Sequence, residues 1–390
     1  MTLPPFAGWA GSRTPRLVIV GEAWGESEEQ THGIPFCGVA GAELTRILLE
    51  TVPANRFTTD LRYALARSGW HQMRNVWAKE AGIGLTNVVA LRPPANNFDA
   101  LLCSKKELPS DYPALPALGR GTAAYLRPTY LGELDRLRTE LRQAAPVCIV
   151  AAGATATWAL LGRTDISNVR GTATLGSPGG VAPSIKVLPT YHPSAVLPGR
   201  GRREWRIICM ADFLKSWRES ASPTITRPSR EAIINPIIED ISRFVDWATR
   251  QPKTKPLAVD CETAGPMITC ISFADSPTFS ITIPFRSKDG TRNYWINEHA
   301  EINAWEYVRT LIECGRPLLF QNGMYDMQYL IRMGIFPRNA REDTMLLHHS
   351  LYPEVQKSLG FLGSIYTNES SWKLLGRQRA TKVKGEKLDE

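Results

Sequence analysis

The 390 residues predict an α/β protein built in two parts. Three observations carry that prediction. Single cores rarely grow past roughly 250–300 residues before the chain splits, so this length favours two domains. The first half alternates short apolar runs with helical patterns, which implies a mainly parallel sheet covered by helices on both faces. Residues 219–230 are rich in Ser, Thr, Pro and Arg, show no apolar period, and read as a linker.

The elements follow in order. Residues 17–20, 85–89, 147–151 and 185–188 are apolar runs of strand length, and helical patterns stand near 43–50, 154–161 and 203–217. Residues 52–83 and 96–130 interrupt the alternation and read as loops or helical insertions without an assigned role. The linker spans 218–231. The second domain, 232–375, opens with a helix at 237–249 and continues with strands at 257–260, 269–273 and 279–283. A helix at 304–313 and a strand at 318–320 follow. Residues 376–390 form a polar, basic tail expected to be disordered.

Composition narrows the class. No apolar run approaches the roughly 20 residues that a membrane span needs, and the first residues lack a signal peptide's basic start and apolar stretch. A cytosolic protein without a membrane partner is the expectation. Seven cysteines lie scattered with no CxxC pair, which suits reduced, mostly buried thiols. The net charge is +8, and residues 1–217 hold most of it, with 24 Lys and Arg against 17 Asp and Glu. A basic excess in one half suits a polyanionic partner, or a generally basic protein that binds none.

In open parallel sheets ligands sit beyond the carboxyl ends of the strands, and the unusual residues cluster there. Gly21-Glu22-Ala23-Trp24-Gly25 follows the first strand, then Pro35-Phe36-Cys37-Gly38 with Ala40-Gly41. Thr86-Asn87-Val88-Val89 ends the second strand, before Arg92-Pro93-Pro94. Gly153-Ala154-Thr155 follows the third strand, Val169-Arg170-Gly171 comes later, and Tyr191-His192-Pro193-Ser194 follows the fourth. Taken singly, Phe36 suits a core, Asn87 a turn cap and His192 a satisfied buried histidine. Six motifs in order, each at a strand end, are a far more specific signal.

Together they resemble the family 4 type of uracil-DNA glycosylases and the superfamily around it, over about residues 14–217. The resemblance implies a three-layer α/β/α domain that flips uracil, or a related modified pyrimidine, out of DNA and hydrolyses its N-glycosidic bond. It implies Glu22 and His192 as catalytic residues, with His192 stabilising negative charge at uracil O2 and Glu22 orienting water or stabilising the sugar cation. It implies Phe36 as the aromatic face and Asn87 as the amide that reads N3–H and O4, with Gly21, Ala23 and Gly25 shaping the pocket floor. Uracil-containing DNA is the implied partner. Ala195, Val196 and Leu197 suit an apolar wedge for the gap left by the flipped base. Ser194, Arg200, Arg202, Arg203 and Arg206 suit phosphate contact, or else a solvated helix start. Two departures stand out. Family 4 enzymes hold a four-cysteine iron–sulfur cluster, whereas here Leu91 precedes Arg92 and no cysteine pair opens the chain, so no cluster is expected. Trp24 stands where proline is usual, which leaves the substrate range open.

The second part carries Asp260 and Glu262 two residues apart on a strand, hence on one face. Asn322 and Asp326 follow the later strand at 318–320, and Asp343 comes after them. This set, with Lys357-Ser358-Leu359-Gly360 and Ser364-Ile365-Tyr366-Thr367, resembles the 3′–5′ exonuclease domain of family A DNA polymerases, phage ones in particular. The resemblance implies an RNase H-like α/β fold with a mixed sheet and a Mg2+ or Mn2+ site at Asp260, Glu262 and Asp326. The family's later Tyr-x-x-x-Asp motif is missing, so weak or absent nuclease activity is expected from this chain alone. Three readings remain open: a uracil-excising repair enzyme with a DNA-binding second half, a uracil-binding module that does not cut, and a proofreading subunit completed by a DNA polymerase chain.

Overall fold

The computed structural model describes residues 2–31, 33–56, 74–118, 123–177, 180–199, 201–288 and 290–369. Arg200 and the tail 376–390 lie outside the described residues. Internal contacts divide the chain into Met1–Thr226 together with the segment from Gly363 onward, and Arg227–Leu362.

The first unit is built on a six-stranded sheet. Its strands are β1 (Ala10–Gly11), β2 (Leu17–Ala23), β3 (Ile83–Val89), β6 (Cys148–Ala152), β7 (Thr174–Leu175) and β8 (Lys186–Thr190), in the order β1-β3-β2-β6-β8-β7. The four central strands are parallel, and only the two-residue edge strands β1 and β7 run antiparallel. Every residue of β3, β6 and β8 is buried, as expected when helices cover both faces. Val18 and Val20 join Leu134, Leu137 and Trp158 in one core, which places helices Leu131–Ala144 and Ala154–Leu161 on that face. Helix Val39–Thr51 packs on helix Trp205–Glu219, which lies on β6 and β8.

Part of the insertion at 96–130 is core rather than loop. Strands β4 (Leu102–Ser104) and β5 (Ala123–Leu126) pair antiparallel, with Leu101, Leu102 and Leu126 buried. The stretch read as linker also begins with a structural task. The buried Lys186 ammonium donates to the carbonyl oxygens of Glu219 (3.0 Å), Ser222 (2.8 Å) and Thr224 (2.8 Å).

The segment from Gly363 closes a buried cluster of the same unit. Arg170 and Asp212 form an ion pair with both side chains at most 1% exposed. Arg170 Nη1 also donates to Ser364 Oγ at 2.8 Å. The Lys215 ammonium donates to the carbonyls of Gly171 (2.8 Å), Thr367 (2.7 Å) and Ser364. A chain ending at residue 362 is therefore expected to lose about 2–3 kcal/mol of first-unit stability, because charged donors lose their acceptors. A thermal melt that matches the full chain would contradict this.

The second unit holds β9 (Glu231–Ile233), β10 (Leu257–Ala264), β11 (Met267–Ser276), β12 (Phe279–Pro284), β13 (Leu318–Phe320) and β14 (Ala340–Asp343). The sheet order is β14-β13-β10-β11-β12-β9. β10, β11 and β12 form an antiparallel meander, while β13 and β14 continue parallel from the other edge of β10. That arrangement is the strand order of an RNase H-like fold, with β9 added parallel to β12. Helix Ile238–Arg250 buries Ile241, Phe244, Val245 and Ala248, one stripe at helical spacing, and packs against helix Glu298–Glu313.

Candidate active site

The sheet order places the carboxyl ends of β3, β2, β6 and β8 side by side, and each delivers a candidate residue. Gly21 on β2 is in register with Asn87 on β3. A Cβ at Gly21 would lie 2.2 Å from Asn87 Oδ1 and 2.7 Å from Phe36 Cζ, so the amide and the ring tip converge over this glycine. The Phe36 ring stacks towards His192, with centroids 6.0 Å apart and planes 21° from parallel. Gly153, just after β6, backs the histidine, since a Cβ there would stand 3.1 Å from His192 Cβ. Phe36, Asn87 and His192 thus share one neighbourhood.

Phe36 is buried and holds a backbone φ of 57°. A non-glycine residue in the left-handed region costs on the order of 1 kcal/mol, a cost the surrounding loop must offset. Asn87 is buried as a residue, and no side-chain hydrogen bond joins its amide to another described residue; the polar atoms of the amide are not sealed from solvent, so they face accessible space. A base that shuts this amide away from water must match it, because an unmatched amide in a closed pocket costs on the order of 1–3 kcal/mol.

His192 is set by its neighbour. Ser194 N–H donates to His192 Nδ1 at 3.2 Å, and the Ser194 hydroxyl lies 2.8 Å from the same atom. Nδ1 is therefore the acceptor, and the ring proton is assigned to Nε2 on this ground. Burial pushes the imidazole pKa down to about 4. The ring is neutral near pH 7 and offers one Nε2–H donor.

Glu22 is exposed as a residue, while neighbouring protein partly desolvates its carboxyl. That desolvation raises its pKa; the hydrogen bond from the Thr155 hydroxyl works against the rise, and the charge of Asp99 adds to it. Gly25 N–H donates to Glu28 Oε2 at 3.0 Å, which closes the loop after β2, and Ala23 is in register with Val89. Trp24 lies against Gly33, where a Cβ would come within 2.5 Å of its Cζ2. Its indole Nε1 is buried without a partner among the described residues.

The segment after His192 departs from its expected part in DNA contact. Val196 and Leu197 are buried in the protein, so Leu197 does not project as a wedge. Ser194 is engaged with the histidine. Arg206 is engaged with Glu43 and Glu50, both at 2.6 Å. Arg202 and Arg203 are exposed, with the Arg202 guanidinium 5.6 Å above the Trp205 ring. Thr155 and Arg170 lie in motifs that the sequence marks without a role, and Asp212 lies outside all of them. Asp212 accepts from Thr190 Oγ1 at 2.8 Å and so braces the strand end that carries Tyr191 and His192. A buried partner 22 residues away leaves no local pattern.

In the second unit Asp260 and Glu262 share the exposed face of β10 while Cys261 is buried. Asp326 is buried and accepts Cys261 N–H at 2.8 Å; burial, with the charge of Asp260, raises its pKa to about 6. Asp343 accepts the N–H groups of Asn322, Gly323, Met345 and Leu346, acting as a loop clamp and helix cap. Among the described residues no three His, Cys, Asp or Glu side chains are grouped to hold a metal ion. Asp260 lies within reach of the charges of both Glu262 and Asp326.

Among solved structures, the chain is similar to Escherichia coli RNase D, an exoribonuclease involved in structured RNA processing. That match has 11% identity and a TM-score of 0.25, and covers 37% of this chain and 34% of RNase D. It is also similar to the Aedes aegypti Nibbler EXO domain, with 12% identity and a TM-score of 0.27, covering 38% of this chain and 74% of that one. The chain thus spans about a third of the length of RNase D, and the second unit's fold rests on its own strand order. No curated protein matches the chain. The model of the uracil DNA glycosylase superfamily matches residues 9–214, more than half of the 390. That span contains the strand ends that deliver Gly21, Asn87, Gly153 and His192 and the interhelical loop that carries Phe36, and the chain belongs to this superfamily.

Proposed function

We propose that the first unit excises uracil, or a closely related pyrimidine, from DNA in the manner of the family 4 type and without an iron–sulfur cluster. The observation that carries this reading is the convergence of the Asn87 amide, an aromatic ring and a neutral histidine at the carboxyl ends of the central strands. A flipped base would rest on Phe36 and present N3–H and O4 to Asn87, a pattern that cytosine lacks. The C1′–N1 bond breaks with its electron pair leaving on the ring. His192 Nε2–H donates to O2, where that charge gathers, and needs no reorganisation to do so. Water adds to C1′ and gives its proton to the Glu22 carboxylate. Exposed Arg202 and Arg203, on a unit with a basic excess, suit phosphate contact.

The test is an abasic-site assay on oligonucleotides carrying uracil, hydroxymethyluracil or thymine. Uracil is expected to be released, and Asn87→Ala to slow release about 10–100-fold through the lost base-edge bonds. Tight binding without abasic product would instead favour a recognition module.

For the second unit we propose an exonuclease-like fold that contributes DNA or polymerase contact rather than cutting. With Mg2+ present, the chain is expected to trim labelled single-stranded DNA no faster than its Asp260→Ala variant. Rapid trimming lost in that variant would overturn this part, and trimming only after a polymerase chain is added would favour the split-polymerase reading.

A further inference from the structure

We propose that Arg136 is a positioning residue for base recognition, holding the strand end that aims Asn87; the proposal rests on the glycosylase reading above. β1 covers β3 only at Gly84 and Leu85, so among the described residues no strand stands beside Asn87 along that edge. Helix Leu131–Ala144 supplies side chains instead. Arg136 Nη2 donates to the carbonyl oxygens of Asn87 (2.7 Å) and Val88 (3.2 Å). Its Nε donates to Glu133 Oε2 (2.9 Å), and its Nη1 to Glu140 Oε1 (2.7 Å) and, more weakly, to Thr86 Oγ1 (3.5 Å).

The two carboxylates grip the same strand end. Glu133 accepts Ala90 N–H at 2.8 Å, and Glu140 accepts the Thr86 hydroxyl at 2.9 Å and Phe6 N–H at 2.9 Å. Residues 86, 87, 88 and 90 are thereby fixed on both sides of the reading amide. The three ionic side chains are at most 2% exposed. A buried ion cluster is a poor way to gain stability, because desolvation offsets most of the attraction, but its many directed bonds fix geometry. Here the geometry fixed is that of the Asn87 backbone.

The test is a double-mutant cycle on single-turnover uracil release. Arg136→Lys keeps the charge but cannot reach both carbonyls and both carboxylates with one compact ammonium. It is expected to slow release about 10–100-fold, as misplacement by around an ångström does, and to add nothing in the Asn87→Ala background. Losses that multiply in the double variant overturn the proposal. Should Arg136→Lys fail to fold, Glu133→Gln leaves the Arg136–Glu140 pair balanced. Its expected loss of about 3–10-fold must likewise vanish without Asn87; if it persists there, the proposal is overturned. Absence of uracil release by the wild-type chain would end the glycosylase reading itself, and this proposal with it. Active wild type, impaired Asn87→Ala and independent Arg136 effects would end this proposal alone.

Discussion

Replacing His192 with alanine is expected to slow base release about 10²–10³-fold, the range for losing one preorganised donor to a developing anion. The fold should survive, since the ring makes its described hydrogen bonds only to Ser194, two residues away. The argument rests on the tautomer: Ser194 N–H occupies Nδ1, so the donor is Nε2. Its pH dependence can be stated with sign. The folded pKa is depressed to about 4 from the ordinary 6.5. As pH falls below about 6.5 the unfolded chain takes up this proton first, so the contribution is fully present above that pH. It is lost progressively down to about pH 4. Melting curves of wild type and His192→Ala should diverge least near pH 4 and keep a constant difference from pH 7 to 8. The wild-type release rate should show no titration of this ring between pH 6 and 8; an inflection near 6.5 that His192→Ala removes would contradict a neutral donor.

Gly21→Ala is expected to abolish uracil release, by at least about 100-fold, with the fold retained. Gly21 does not occupy the left-handed region, so alanine meets no backbone strain. The clash is confined to the pocket, because the new methyl would stand 2.2 Å from Asn87 Oδ1 and 2.7 Å from Phe36 Cζ. Either the amide or the ring must move, and the base loses its edge reader or its stacking face. Circular dichroism should match wild type. Unchanged release would mean that Asn87 and Phe36 do not act over Gly21.

Much of this site is legible in the sequence because each candidate residue follows an apolar run long enough to be a buried strand. Leu17–Ala23, Ile83–Val89 and Lys186–Thr190 carry Gly21, Asn87 and the approach to His192 in that way. The edge strands β1 and β7 have two residues each, too few to show any period. Glu133, Arg136 and Glu140 stand three and four apart, the spacing of a solvated helix face, and only the fold shows them buried. Leu197 failed as a wedge because an apolar tip in sequence is equally a core contact, and the structure turns it inward. In the second unit the alternation of β10 was readable, but the backbone partners of Asp326 and Asp343 were not, since they depend on contacts 65 and 20 residues away.

The most direct measurement is a crystal structure of the chain with free uracil bound, the product of the proposed reaction. Uracil is expected on the Phe36 ring, with the Asn87 side-chain amide at N3–H and O4 and His192 Nε2 at O2. Uracil bound elsewhere, or held there with Asn87 and His192 turned away from it, would contradict the account.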